Sequence, residues 1–69
     1  MPDYKARVCL EATGRRRRYA RSEHVAIEIF RASQLNEATL RPVKESDFEP
    51  CTLRRTSAGA VVILREVRV

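Results

Sequence analysis

The sequence predicts a small two-layer α+β domain, an antiparallel sheet of about four strands with one helix on one side, in the order β-β-α-β-β. Three observations carry this. Residues 4–13 alternate apolar and polar side chains with period two. Residues 23–35 run without Pro or Gly behind a capping serine. Residues 60–69 hold the densest cluster of β-branched residues in the chain. With 69 residues in all, a single basic domain spanning 1–69 is expected.

The first strand is read over residues 3–13. Tyr4, Ala6, Val8, Leu10 and Ala12 fall on one face; Lys5, Arg7, Cys9, Glu11 and Thr13 fall on the other. Gly14 supplies a turn position where positive φ costs little. The run Arg15-Arg16-Arg17-Arg18 follows, and residues 17–21 return as a second strand. The hairpin then carries the arginines at its tip and in its return strand.

Ser22 is a good N-cap, and Glu23 sits where an acid favours the helix dipole. The helix is predicted over Glu23 to Leu35. Val25, Ala26, Ile29, Phe30, Ala32 and Ser33 share one arc, with Glu28 and Arg31 outside it and Ile27 off it. A competing reading makes Val25, Ile27 and Ile29 one face of a strand. Asn36 is the expected helix end.

Residues 36–50 read as punctuation, because Pro42 and Pro50 push the residues before them out of helical geometry. Within that segment a short extended piece is expected around Thr39 to Val43. Ser46-Asp47 suits a single helical turn, with Phe48 as a plug into the core. Residues 51–57 form the next strand, Ala58-Gly59 a turn, and residues 60–69 the last strand. Val61, Ile63, Val67 and Val69 share one face of it, and Val62 and Leu64 the other. Apolar on both faces, its first half reads as an interior strand.

Charge is distributed unevenly. Residues 1–21 hold seven basic and two acidic side chains; residues 22–50 hold three and six; residues 51–69 hold four and one. The net charge is +5, with basic ends around an acidic middle. Twelve of the fourteen basic residues are arginine, whose planar fork binds phosphate or carboxylate in bidentate fashion. A GC-rich genome also favours arginine, but that does not explain four in a row.

Enzyme signatures are missing. His24 is the only histidine, and Ser22 beside it leaves a hydrolytic triad incomplete. Cys9 and Cys51 lack metal-ligand spacing. A Cys9–Cys51 disulfide is open to two cysteines in strands, although free thiols are the default in a reducing compartment. Gly14 and Gly59 are the only glycines, so no phosphate-cradling loop is present. Glu45, Asp47 and Glu49 read as solvated charges. No catalytic residue, cofactor or metal is expected. Apolar runs are far too short to cross a bilayer, and no hydrophobic leader opens the sequence, so a cytoplasmic location without membrane contact is expected.

The arginine run is the strongest functional signal. Adjacent guanidinium groups repel one another, so the run does not serve local stability. Projected outward, they would straddle phosphates and release counterions, and Tyr19 would stack on a base. The expected binding residues are Arg15, Arg16, Arg17, Arg18, Tyr19 and Arg21. Arg54, Arg55, Arg65 and Arg68 widen the footprint if the two hairpins are neighbours. The first functional expectation is a small non-enzymatic protein that contacts a DNA or RNA backbone. The alternative is a small phage-type regulator or inhibitor that binds a protein in a nucleic-acid machine, such as a polymerase or nuclease complex, through basic and acidic faces. A third reading is assembly as a homodimer through the apolar strand at residues 60–69.

Overall fold

The computed structural model describes residues 7–12, 14, 16–44 and 49–65. Its elements are β1 (Val8–Ala12), β2 (Arg17–Ala20), α1 (Glu23–Ala32), β3 (Glu37–Pro42), β4 (Cys51–Arg55) and β5 (Val61–Arg65). The five strands form one sheet in the order β2-β1-β3-β4-β5, and every neighbouring pair is antiparallel. Helix α1 packs over β1, β2 and β3. The α+β class and the single covering helix are as the sequence predicts. The predicted first strand begins at Val8 among the described residues, and Tyr4 and Ala6 lie outside them.

Period-two alternation decides the two faces of the sheet. Val8, Leu10 and Ala12 of β1 face the helix, as do Ala20 of β2, Ala38 and Leu40 of β3, and Cys51 and Leu53 of β4. Phe30 and Ala26 come down from α1, and both are fully buried with Leu40 and Leu53. Small alanines under the helix let it approach the sheet closely, so Phe30 fills the centre of a thin core. No buried polar side-chain atom among the described residues lacks a partner.

Ser22 caps α1 as predicted: its Oγ accepts from the Val25 N–H at 3.1 Å. The helix ends earlier than expected, at Ala32 rather than Leu35. Ser33 is the reason. Its Oγ donates to the Phe30 carbonyl at 2.7 Å and accepts from the Leu35 N–H at 3.2 Å, so one side chain turns the backbone out of the helix. Ile27, off the predicted arc, also packs against the core, and Ala32, on it, is exposed.

Two expectations are corrected. The segment read as punctuation contains a full central strand, β3, with Ala38 and Leu40 buried between exposed Glu37, Thr39 and Arg41. Pro42 ends it without loss. Its N–H side faces β4, which begins only opposite Leu40, and the next residue, Val43, donates to Arg7 on the β1 side. Next, β5 is an edge strand and not an interior one. Because β3 takes the centre, the C-terminal hairpin is displaced outward, leaving Val62, Ile63 and Leu64 37%, 39% and 41% exposed. Both cysteines are free, the default reading, and the alternative of a Cys9–Cys51 disulfide is not met. Cys9 lies on the uncovered face and Cys51 under the helix, with β3 between their strands, so they cannot bridge. The turn proposed at Ser46-Asp47, the Phe48 plug, and Val67 and Val69 of the last strand lie outside the described residues.

Turns follow their glycines. Gly14 has φ 102 and Gly59 has φ 90. In the β4–β5 turn the Thr56 N–H donates to the Ala60 carbonyl, and Thr56 Oγ1 accepts from the N–H groups of Ala58 and Ala60. No helix among the described residues is long and apolar enough to cross a membrane.

Candidate nucleic-acid interface

The arginine run does not act as one cluster. The β1–β2 ladder continues to the turn through the Ala12 N–H, which donates to the Arg16 carbonyl. Strand alternation therefore sends Arg16 and Arg18 to the helix side and Arg17 to the opposite, uncovered side. Arg17 and Arg18 lie within β2, the predicted return strand, and Arg15 lies outside the described residues. All of Arg16, Arg17, Arg18 and Arg21 are exposed.

On the uncovered face, Arg17 stands directly across from Glu11, and Tyr19 across from Cys9. Beyond Cys9 on the other side stands Arg41 of β3. Glu11 holds two arginines at once: Arg17 Nε donates to Oε2 at 3.1 Å, and Arg41 Nη2 donates to Oε1. Contact with Glu11, then with Tyr19, raises the Arg17 pKa above its ordinary value, so this guanidinium is charged at any working pH. Exposed pairs of this kind contribute little to stability. Their effect here is to hold two forks in place while leaving other N–H donors free.

Between them is a shallow depression of about 340 Å³, walled by Arg17, Tyr19, Arg41, Pro42 and Val43 over the Cys9 floor. Tyr19 is 54% exposed, whereas Cys9 is only 6% exposed. Arg7, just before β1, is exposed and leaves the strand pattern: its N–H donates to the Ala20 carbonyl on the β2 side and its carbonyl accepts from the Val43 N–H on the β3 side. Further along the face, Arg54 Nη2 donates to Glu37 at 3.1 Å. Three arginines, Arg17, Arg41 and Arg54, thus share this face with Glu11 and Glu37.

The two basic hairpins are not neighbours, because β3 separates β1 from β4. Arg54 still joins the uncovered face. Arg55 does not: it points to the helix side, where Nη2 donates to the carbonyls of Phe30 at 2.9 Å and Ser33 at 3.1 Å, and Nε to that of Leu35 at 3.1 Å. Arg65 donates to Glu23 at 2.6 Å, and Arg68 lies outside the described residues. Arg41 completes the face but was absent from the expected set. Arg41 had a signal, the outward position in the Ala38/Leu40 alternation, that the neighbouring prolines obscured.

Among the described residues, three acids of the acidic middle are each held by an arginine. Glu23 pairs with Arg65, Glu28 with Arg31 at 3.9 Å, and Glu37 with Arg54. His24 is exposed on α1. No cluster of potential metal ligands occurs among the described residues. No protein-family model matches the chain, and no curated protein or solved structure matches it either.

Proposed function

We propose that this chain is a cytoplasmic, non-enzymatic nucleic-acid-binding module that takes a single strand across the uncovered face of its sheet. One observation carries the reading: Tyr19 is exposed on that face with the guanidinium groups of Arg17 and Arg41 fixed around it. A base stacks on the Tyr19 ring, and Pro42 and Val43 give it an apolar wall. Arg17, Arg41 and Arg54 then meet the phosphates. A broad sheet face with an aromatic platform suits splayed bases better than a duplex groove. Recognition is mostly of backbone charge, with little base reading. Arg16, Arg18 and Arg21 lie on and just past the outermost strand, where a backbone passing the edge of the sheet meets them.

The test is fluorescence anisotropy with labelled single-stranded and duplex oligonucleotides at several salt concentrations. The single strand binds more tightly, and Tyr19→Ala weakens it by roughly fivefold or more, the cost of one stacked base. Arg17→Ala with Arg41→Ala flattens the salt dependence by about one to two ions released. Absence of binding at low salt, or affinity untouched by these substitutions, rejects the reading.

The free edge of β5 favours a second reading, assembly as a homodimer. In the β4–β5 ladder the backbone groups of Val61, Ile63 and Arg65 point away from β4. Four consecutive apolar residues, Val61 to Leu64, leave Arg65 as the one charged residue of β5, an arrangement that invites pairing. A second copy laid antiparallel about Ile63 sets Val61 against Arg65 and Val62 against Leu64. It would join two open faces into one surface. Sedimentation equilibrium checks this: Ile63→Lys turns a dimer into a monomer, and a wild-type monomer at high concentration rejects it.

A further inference from the structure

The helix side of the β1–β2 hairpin holds a second, chemically different feature. A cavity of about 470 Å³ opens between the C-terminal end of α1 and the hairpin. Leu10 and Ala12 from β1, Ile29 from α1 and Leu35 beyond it make an apolar lining, and Arg16 and Arg18 stand at the β2 rim. No carboxylate lines it among the described residues, and neither arginine has an ion-pair partner among them. The volume lies within the range of small-molecule sites.

We propose that this cavity binds an amphipathic organic anion, with its carboxylate or phosphate head between Arg16 and Arg18 and its apolar body against Leu10, Ile29 and Leu35. Charge complementarity fixes the head. The two arginines share one face of a strand, about 6.7 Å apart along it, so their long side chains converge on a single anion. The apolar lining fixes the body, and Ser33 and Gln34 complete the wall on the side of the helix end. The negative end of a helix would ordinarily repel an anion here. Arg55 removes that obstacle, because it already neutralises the carbonyls of Phe30, Ser33 and Leu35 from the far side. The cavity lies on the opposite side of the sheet from Tyr19, and Arg16 and Arg18 are the residues it shares with the nucleic-acid reading.

Amide chemical shifts during titration test the proposal, with four probes below their aggregation limits: decanoate, decyl phosphate, decanol and inorganic phosphate. Decanoate or decyl phosphate shifts the amides of Leu10, Ala12 and Leu35 saturably, and which one binds more tightly identifies the head group. Arg16→Gln with Arg18→Gln weakens binding at least tenfold while the rest of the spectrum stays in place. Lys44→Gln, an exposed cation outside the cavity, leaves it unchanged. Decanol or inorganic phosphate binding as tightly as the amphiphiles overturns the proposal. So do shifts centred on Cys9 and Thr39, or a double variant that binds normally.

Discussion

The guanidinium of Arg55 lies 5.0 Å from the centroid of the Phe30 ring and donates to the Phe30 carbonyl at 2.9 Å. One β4 side chain thereby closes the C-terminus of α1 and covers the largest residue of the core. The contact adds a tie between β4 and a helix that packs mainly on β1, β2 and β3. Arg55→Ala is expected to cost about 2 kcal/mol from the lost carbonyl bonds and ring contact. That is a fall of roughly 8–16 °C in Tm for a domain this small. Arg55→Lys keeps the charge but not the fork that reaches three carbonyls, so it recovers only part. Thermal unfolding of the two variants checks both the size and the order.

Glu11 gives a prediction of opposite character. It is the one carboxylate held between Arg17 and Arg41, so it orders the proposed site and also opposes any phosphate that enters. Glu11→Gln removes a negative charge and leaves a neutral acceptor of the same shape. Single-strand affinity should rise by roughly threefold to fivefold at low salt, as expected for one charge a few ångströms away in water, and the gain should shrink as salt is added. The unfolding midpoint should move little. Anisotropy titrations paired with urea melts measure the two effects, and weaker binding would mean that ordering of the arginines outweighs repulsion.

What was legible in the sequence is what depends on local pattern. The alternation of Val8, Leu10 and Ala12, the Ser22 cap and the turns at Gly14 and Gly59 all appear where period and turn chemistry place them. The misreadings arise where a long-range pairing decides. Leu40 faces Leu10 on one side and Cys51 on the other, which makes β3 central, and nothing local to Pro42 or Pro50 announces that. Once β3 is central, Val61 to Arg65 must lie at an edge, although their composition is that of an interior strand. The candidate site suffered in the same way. The arginine run was visible as charge, but its division between two faces follows from the Ala12–Arg16 pairing, and Arg41 joins it only through β3.

Gly59 has φ 90, in the region that side chains rarely adopt, and a Cβ built there meets nothing within 4 Å. Its substitution therefore isolates backbone strain from crowding. Gly59→Ala should cost about 1–2 kcal/mol, and Gly59→Asn less, because Asn tolerates positive φ better. Chemical denaturation should show a lower midpoint with an unchanged m value, since the surface exposed on unfolding stays the same. An Ala variant as stable as the parent would show that the β4–β5 turn relaxes to another geometry.

Cys51 supplies the pH-dependent prediction. It is 3% exposed beneath α1. Burial pushes its thiol pKa above the ordinary value; Arg65 opposes this and Glu23 adds to it. The folded state therefore holds the thiol proton more tightly than the unfolded chain does. By linkage, its contribution is fully present below the unfolded thiol pKa and is lost as pH rises from there through the folded value. Urea midpoints between pH 8 and pH 10 should fall more steeply for the wild type than for Cys51→Ala, and the difference between the two slopes isolates this group from the others that titrate there. Because the thiolate is the reactive form, iodoacetamide should also label native Cys51 much more slowly than the unfolded chain. Rapid native labelling, or identical slopes in the two proteins, would mean that the helix opens over β4 far more readily than the Arg55 contacts imply.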